Sequence, residues 1–494
     1  MRQGFDNQQY LTVQSEKILE RIGSFGDKLY LEFGGKLFDD YHASRVLPGF
    51  APDSKMQMLK KLKSEAEVLI AVSANDIELN KLRSDYGITY DLDTLRIIDA
   101  FREAGLSVLG VVITRYAEQP GARAFAERLK NLGVSVSFHY SIPDYPSNVP
   151  LIMSSDGYGR NEYVKTTKRL VVVTGPGPGS GKMAVCLSQI YHDFLHGIKS
   201  GYAKFETFPI WNLPLNHPLN LAYEAATADL NDVNMIDPFH MEAYGKTATN
   251  YNRDVEIFPV LNAMFRRIWQ TSPYKSPTDM GVNMVGFCIF DMDAVEHAAK
   301  SEIVRRYLNE VCAFKRGVSD KARVNKQTLI MQQAQLNVFY RKVVAPALNK
   351  EAESGVPAAA IELGDGRILT GKRSPLLDPA AALLLNALKA LGGIPDEILL
   401  LSPAVIEPMQ RLKREMLHSE DDRLHAEEIL LALSICAATN PVAELALNQI
   451  SKLSGLDAHV TRMPTAADSA LFRRLHIQLT GEPEPMDAKK LYWQ

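Results

Sequence analysis

The chain has 494 residues, of which 46% are hydrophobic and 23% are charged, and its formal net charge is -3. This balance is that of an ordinary globular protein, so it gives no support to a nucleic-acid or membrane partner, and no apolar stretch approaches the about 18 residues of a membrane-spanning helix. The length predicts several domains, at roughly 150 residues each.

The cysteines and the N-terminal segment indicate the compartment. Cys186, Cys288, Cys312 and Cys436 lie far apart without a CxxC pair, which is typical of buried thiols in a reducing environment. The first residues are polar and amphipathic, without the apolar core of a signal peptide. We therefore predict a cytoplasmic protein.

The first part of the chain alternates between apolar runs and helical patterns. Apolar runs occupy 28–33, 68–73, 107–114, 134–139 and 170–174, and helices are predicted at 93–104 and 121–132. This alternation predicts an α/β fold built on a doubly wound, mostly parallel, Rossmann-like sheet. The stretch 140–160, with its prolines and glycines, is predicted to form a loop or an extra hairpin.

The last of these strands leads into a glycine-rich turn. The run 169–188, RLVVVTGPGPGSGKMAVCLS, closes on a lysine and continues with a helical pattern. Glycine N–H groups can converge on an anion at a helix N-terminus, and a lysine after the last glycine can reach the outer phosphates. The sequence therefore predicts a P-loop-like phosphate site whose cofactor-binding residues are Gly175, Gly177, Gly179, Ser180, Gly181 and Lys182.

This turn departs from the standard P-loop in three places. Pro176 stands where the first glycine belongs, Gly175 is one step too far back, and Met183 replaces the hydroxyl that binds Mg²⁺. The turn thus favours a phosphate ligand, with ATP as one candidate, and leaves the Mg²⁺ requirement open. A tight strand-to-helix turn that holds no ligand is the alternative interpretation.

A second glycine turn follows the first predicted strand. It consists of Gly34, Gly35 and Lys36. Because loops after parallel strands gather at one edge of the sheet, where ligands bind, we predict that this turn faces the same crevice as the first one. A simple strand-ending turn with solvated charges is the alternative.

The stretch 234–254, NMIDPFHMEAYGKTATNYNRD, concentrates many kinds of polar side chain. Such a mixture suits the binding of a polar substrate and acid–base catalysis, although a solvated loop with local helix caps would have a similar composition. The candidate roles are base or metal ligand for Asp237 or Asp254, acid or base for His240, and a second anion site for Lys246 or Arg253. Downstream, Asp279 or Asp291 could hold a metal ion, or either could be a helix cap.

The rest of the chain is predicted to be helical and then α/β. A helical block at 293–348 could serve as a lid, a spacer or a contact in a homo-oligomer, and 350–355 is predicted to be a linker. Strands at 358–363, 367–370 and 397–401 and helices at 379–391, 405–417 and 424–437 predict a second α/β domain. The predicted domains are therefore 1–205, 206–350 and 356–494.

Known hydrolase signatures are missing from the sequence. It contains neither HExxH nor GxSxG, so zinc peptidase and serine hydrolase activities lack their motifs. The triplet His425-Ala426-Glu427 has the H-x-E order of zinc deaminases, but no P-C-x-x-C follows. We interpret His425 as an ordinary helix residue.

Several long segments resemble a bacterial family of unknown function. EKILERI, GPGPGSGKMA, NMIDPFHMEAYGKTATNYNRDVEIFPVL, SPTDMGVNM, DGRILTGK and LALSICAATNP are similar to the domain-of-unknown-function 1846 family, also called uncharacterised protein family 0371. The resemblance spans nearly the whole chain. It implies a multi-domain α/β protein with a glycine-rich loop and an unassigned reaction, and it assigns no catalytic residue.

The residues predict a cytoplasmic enzyme that binds a nucleotide or another phosphorylated small molecule at 175–182, with 234–254 placing a second substrate. Phosphoryl transfer or ATP-driven condensation is the preferred reaction, because its catalysis rests on positioning and charge neutralisation. Two alternatives stay open. One is a nucleotide- or metabolite-sensing protein without turnover, and the other is a phosphate-binding transferase or isomerase that uses no nucleotide.

Overall fold

The computed structural model describes residues 2–26, 28–83, 87–230 and 232–484, and the chain divides into two compact units. The first consists of Arg2–Ala299 and the second begins at Lys300. The division falls within the helix Met292–Lys315, inside the segment 206–350. In the described ranges, no helix combines the length and the apolar character that crossing a bilayer requires.

A parallel sheet of seven strands forms the centre of the first unit. The strand order is β11-β8-β1-β7-β2-β5-β6, and every neighbouring pair is parallel. Two short antiparallel hairpins, β3–β4 and β9–β10, accompany it. The strands are β1 Leu29–Phe33, β2 Ala66–Ser73, β3 Leu82–Arg83, β4 Ile88–Thr89, β5 Ser107–Tyr116, β6 Val136–Tyr140, β7 Leu170–Thr174, β8 Gly201–Phe205, β9 Asn234–Ile236, β10 Thr249–Tyr251 and β11 Gly281–Val282.

The predicted α/β class and the parallel sheet are confirmed. All residues of β2 and β7 are buried, as expected for central strands that are covered on both faces, and this is why the apolar runs 68–72 and 170–173 are uninterrupted. β8, GYAKF, is missing from the predicted strands because its glycine and lysine interrupt the apolar pattern. The predicted alternative of an extra hairpin at 140–160 is wrong, since this stretch holds a short helix, Val149–Ile152, and a 3₁₀ turn.

Helices cover both faces of this sheet. Tyr30, Val171 and Tyr202 of the strands belong to one buried cluster with Ile190, Phe258 and Phe265 of two long helices. The segment between β8 and Pro277 contains the helices Pro218–Ala226, Pro238–Tyr244 and Asn252–Trp269 and the β9–β10 hairpin. The helices of the first unit are Asn7–Gly23, Tyr41–Val46, Ser54–Lys61, Ala74–Glu78, Tyr90–Glu103, Pro120–Asn131, Val149–Ile152, Lys182–Leu195, Pro218–Ala226, Pro238–Tyr244, Asn252–Trp269 and Pro277–Met280.

The strand order diverges between β1 and β7, and we call the region outside the carboxyl ends of these two strands the crevice. The connection from β1 to β2 passes over β7, whereas the connection from β7 to β8 passes over β1, so the two run in opposite directions along the sheet. Right-handed crossovers then place the following helices on opposite faces. Ligands of open α/β sheets bind at such a divergence, outside the carboxyl ends of the strands.

The second unit is a separate α/β arrangement with a four-stranded mixed sheet. Its order is β13-β12-β14-β15, and only the β14–β15 pair is parallel. The strands are β12 Ala358–Glu362, β13 Ile368–Lys372, β14 Asp457–Val460 and β15 Gln478–Gly481. The helices are Lys321–Gln333, Val344–Ser354, Pro379–Leu391, Pro403–Arg411, Ala426–Ala437, Pro441–Leu447 and Ala466–Arg474, with a π-helical turn at Leu412–Met416.

Two predictions for this unit are wrong. Residues 350–355 are not a linker, because Val344–Ser354 is a helix and Gly355 ends it in the left-handed conformation, at a φ of 67°. Residues 397–401 form turns and bends instead of a strand. Leu400 and Leu401 are nevertheless buried in the core of the unit, which accounts for the apolar run in the sequence.

Candidate functional site

The glycine turn after β7 is packed so closely that side chains would not fit at two of its positions. A Cβ atom on Gly175 would lie 2.2 Å from the carbonyl oxygen of Ala71 in the neighbouring strand. A Cβ atom on Gly177 would lie 2.3 Å from the hydroxyl of Tyr90. These glycines therefore serve close approach, in addition to forming a turn.

Internal hydrogen bonds fix the conformation of the turn. Gly179 and Gly181 adopt φ values of 78° and 90°, which favour glycine. The buried Ser180 donates its hydroxyl to the carbonyl of Gly177 at 2.6 Å, and its own carbonyl accepts from the hydroxyl of Thr114 at 2.8 Å. The helix Lys182–Leu195 begins directly after Gly181.

The turn presents backbone donors beside a helix N-terminus. Within the described ranges, no hydrogen bond uses the N–H groups of Gly179, Ser180 or Gly181. Pro176 and Pro178 have no N–H to add. Three successive donors beside a helix N-terminus are the kind of arrangement that attracts an anion.

Lys182 lies folded back along this turn. Its half-buried Nζ donates to the carbonyl of Gly177 at 3.1 Å. Burial lowers the pKa of the Lys182 ammonium, and the negative charge of Glu32 offsets part of this shift. Lys182 thus lies at the crevice, where the negative charge of Glu32 acts on it.

Glu32 and Lys204, which the sequence reasoning missed, stand at one level of the sheet. Glu32 of β1 pairs with Val173 of β7 on one side and with Lys204 of β8 on the other. The Glu32 carboxylate accepts a hydrogen bond from the hydroxyl of Tyr202 at 2.6 Å. A single charged residue at the next-to-last position of a strand was the available signal for both.

Lys204 lies between two carboxylates. Its Nζ is 3.1 Å from Glu206 Oε1 and makes a short ion pair with Asp254. Burial alone lowers the pKa of Lys204, but the charges of Asp254 and Glu206 raise it above its usual value. Burial raises the pKa of Glu206 to about 7, against the attraction of Lys204, and the neighbouring charge of Asp254 adds to the rise. Glu206 is therefore suited to exchange a proton near neutral pH.

The predicted residues Arg253 and Asp254 both belong to this side of the crevice. Asp254 binds Lys204, as described above, and Arg253 forms a two-point ion pair with Asp232, at 2.6 and 2.8 Å. Arg253 also contributes its positive charge to the surroundings of Lys182. The start of the helix Asn252–Trp269 thus carries charged groups toward the glycine turn.

The other predicted residues of this stretch bind a different segment. Asp237 is buried at the N-terminus of Pro238–Tyr244, where it accepts from the His240 N–H at 3.0 Å and from the Thr278 hydroxyl at 2.6 Å. The His240 ring lies 3.1 Å from the Ser276 hydroxyl and 3.8 Å from Asp279. Lys246 is exposed on the loop that follows. The polar stretch therefore divides into two groups. Only the group formed by Arg253 and Asp254 reaches Lys204.

The turn formed by Gly34, Gly35 and Lys36 follows β1 at the same edge of the sheet. Gly35 has a φ of 76°, and a Cβ atom there would lie 2.8 Å from Nζ of Lys55. Lys55 forms a buried ion pair with Asp40 at 2.9 Å, and its charge lowers the pKa of Asp40 against the effect of burial. Lys36 is half-buried. The turn is thus built around a lysine that the sequence reasoning did not identify.

The two aspartates considered as metal ligands have local partners. Asp279 shares a capping box with Ser276 and accepts from the hydroxyl of Tyr244 at 2.9 Å. Asp291 pairs with Arg2 and accepts from the N–H of Ala294 at 3.2 Å. In the described ranges, neither belongs to a group of three potential metal ligands.

Comparison with known proteins gives two family matches and a set of close relatives. The model of the N-terminal domain of unknown function DUF1846 matches residues 3–335, and that of its C-terminal domain matches residues 340–492. A UPF0371 protein of Corynebacterium urealyticum is 52% identical over 492 residues, which are 99% of this chain and 98% of that protein. A UPF0371 protein of Streptococcus pneumoniae strain D39 is 53% identical over 482 residues, 98% of either chain.

Proposed function

The chain belongs to the bacterial DUF1846 family, and we propose that it binds a nucleotide or another phosphorylated small molecule at the glycine turn Gly175–Lys182. One observation carries this proposal: three N–H groups that have no acceptor among the described residues stand beside a helix N-terminus and a half-buried lysine, at the crevice of a parallel sheet.

The opposite side of the crevice supplies the groups for a reaction. Glu206 can accept the proton of an acceptor hydroxyl or amine as it attacks a phosphorus atom, and Lys204 holds the carboxylates of Glu206 and Asp254 in place. The phosphorus–oxygen bond to the leaving group then breaks, while Lys182 neutralises the charge on the transferred group. Phosphoryl transfer, or a condensation driven by it, is therefore the reaction we propose.

A Mg²⁺ ion would need a ligand other than the missing hydroxyl at Met183. Carboxylate oxygens are the ligands that Mg²⁺ prefers, and Glu32 lies near the carboxyl end of β1, opposite Val173 of the strand that leads into the turn. We assign Glu32 as the residue that would hold the ion. Mg²⁺ would supply charge neutralisation between the phosphate groups of a nucleotide.

Isothermal titration calorimetry tests the binding step. We expect ATP, GTP or a sugar phosphate such as ribose 5-phosphate to bind the full chain, and Lys182→Ala to weaken binding about tenfold or more, because a hydrogen bond to a charged group contributes about 1.5–3 kcal/mol. Lys130→Ala, at an exposed position on another helix, is the matched control. Absence of binding by all three ligands, or equal affinities for Lys182→Ala and the unaltered chain, would contradict the proposal.

A sensor without turnover is the second candidate, and Met183 favours it because the ordinary Mg²⁺ hydroxyl is missing. A transferase or isomerase that uses no nucleotide is the third, favoured by the short cradle that the two prolines leave. Phosphorus NMR of a bound nucleotide with Mg²⁺ separates the first two, since only an enzyme consumes it. Binding of ribose 5-phosphate but not of ATP would support the third.

A further inference from the structure

Two helices of the second unit begin side by side. Leu377 and Leu424 form a parallel bridge, in which the Asp378 N–H donates to the Leu424 carbonyl at 3.1 Å. Asp378 precedes the helix Pro379–Leu391, and His425 precedes the helix Ala426–Ala437. His425 is thus the N-terminal cap of its helix instead of an ordinary helix residue. The bridge holds these two side chains next to each other.

The side chains around this bridge converge on one point. His425 Nδ1 lies 2.5 Å from Asp378 Oδ2, and one ligand atom from each of Asp378, Asp421 and His425 lies within 4.8 Å of the others. Asp378 is 2% exposed, and its Oδ1 atom is buried without a hydrogen-bond partner in the described part of the chain. Although it stands at a helix N-terminus, its side chain makes no capping hydrogen bond.

An ion-pair network is the competing explanation for this cluster. Arg373 lies 3.7 Å from Asp378 and 3.4 Å from Asp421, whereas Arg423 lies 2.9 Å from Asp421. Asp421 accepts hydrogen bonds from both arginines, at 3.4 Å from Arg373 and at 2.9 and 3.1 Å from the guanidinium and the backbone N–H of Arg423. The distance from Arg373 to Asp378 exceeds the range of about 2.7–2.9 Å for charge-assisted hydrogen bonds, so the buried Asp378 Oδ1 atom keeps its capacity to bind a cation.

We propose that Asp378, Asp421 and His425 form a binding site for a divalent first-row transition-metal ion such as Zn²⁺. One imidazole nitrogen with two carboxylate oxygens is a donor set that suits Zn²⁺ or Mn²⁺ better than Ca²⁺ or Mg²⁺, which prefer oxygen alone. The bound ion ties the starts of the two helices to the loop at 417–424, and Arg373 gives way to it. The site lies in the second unit and does not depend on the proposed function of the glycine turn.

Equilibrium dialysis of the metal-stripped full chain against Zn²⁺ or Mn²⁺ alone tests this site. We expect the unaltered chain to bind one ion. His425→Asn and Asp378→Asn should each lower the affinity for that ion about tenfold or more. His418→Asn, at an exposed position in the same region, is the matched control for adventitious histidine binding and should retain the ion. Arg373→Met is expected to bind more tightly, because it removes the competing cation.

Circular dichroism of each variant confirms that it is folded, and His425→Gln provides a second substitution if His425→Asn unfolds. Absence of a stoichiometric ion from the unaltered chain would overturn the proposal. So would unchanged affinity in both histidine variants, or weaker binding in Arg373→Met, because the cluster would then be an ion-pair network.

Discussion

Glu32 and Lys204 are direct neighbours in two parallel strands, so a carboxylate and an ammonium stand at the same level of a central sheet. At the next level, Phe33 and Phe205 stack with their ring centroids 4.3 Å apart. Because successive side chains of a strand point to opposite faces, the charged pair lies on one face of the sheet and the aromatic pair on the other. The backbone hydrogen bonds between the two strands hold both pairs in register.

Removing the charge of Lys204 should destabilise the first unit. Lys204→Met leaves the carboxylates of Glu206 and Asp254 without their cation, and breaking such a pair costs about 3 kcal/mol. Urea unfolding followed by tryptophan fluorescence measures the loss, since Trp211 and Trp269 lie in this unit. The double variant Lys204→Met/Asp254→Asn should lose less than the sum of the single variants, because it removes both charges of one pair. Strict additivity would show that the ion pair has little influence.

The stability of the chain should depend on pH through Glu206. The folded pKa, about 7, lies above the ordinary value of 4.5, so the folded state holds the proton more tightly than the unfolded state. The contribution of Glu206 is therefore fully present below pH 4.5 and is lost as the pH rises through 7.

Glu206→Gln imitates the protonated form and should remove this loss, which amounts to at most about 3 kcal/mol between pH 4.5 and pH 9. Urea unfolding at a series of pH values should give a flatter stability profile for this variant. Glu127→Gln, at an exposed position, is the control and should follow the unaltered chain. Parallel profiles for Glu206→Gln and the unaltered chain would exclude the raised pKa.

Two glycines of the turn should respond differently to alanine. Gly175→Ala brings a Cβ atom to 2.2 Å from the Ala71 carbonyl, so the turn must move away from β2. Gly179→Ala meets no atom within 4 Å and carries only the strain of a positive φ, about 1–2 kcal/mol. We expect a larger loss of unfolding free energy for Gly175→Ala. Equal losses would mean that strain alone governs the turn.

His139 should make the chain sensitive to acid. Burial lowers the pKa of His139 to about 3, so the unfolded chain takes up a proton near pH 6.5 while the folded chain does not. Its stabilising contribution is thus present above pH 6.5 and falls by about 1.4 kcal/mol per pH unit down to pH 3. His139→Gln should reduce the slope of stability against pH between 6.5 and 4.5 in urea unfolding. An unchanged slope would assign the acid sensitivity to other groups.

The strands of the sheet could be predicted where burial is the main constraint on their residues. The prediction for β7 matches its observed bounds, because the strand consists of one leucine and three valines followed by a threonine. β8 could not be found in this way, because Lys204 interrupts its apolar pattern. Asp254, fifty positions along the chain, helps to make that lysine acceptable, and only the folded structure brings the two together.

The candidate site was predictable in part for the same reason. The glycines and the lysine of the turn after β7 are placed by the strand before them and the helix after them. Their position at a helix N-terminus could therefore be predicted from the sequence. The division of the stretch 234–254 into two groups could not be predicted from the sequence. It depends on distant partners, since Asp237 binds Thr278 and Asp254 binds Lys204. A short linker and a helix end also have similar composition, which explains the error at 350–355.

The carbonyl of Gly177 accepts from both Ser180 and Lys182. A phosphate group that binds Lys182 must therefore displace the Gly177 carbonyl as the acceptor of the lysine. Binding is thus an exchange in which one hydrogen bond replaces another. A neutral ligand improves little on a carbonyl, a singly charged anion improves on it, and a dianion improves on it most. The turn should consequently discriminate among ligands by charge before it discriminates by shape, and terminal phosphates should compete better than phosphodiesters or carboxylates.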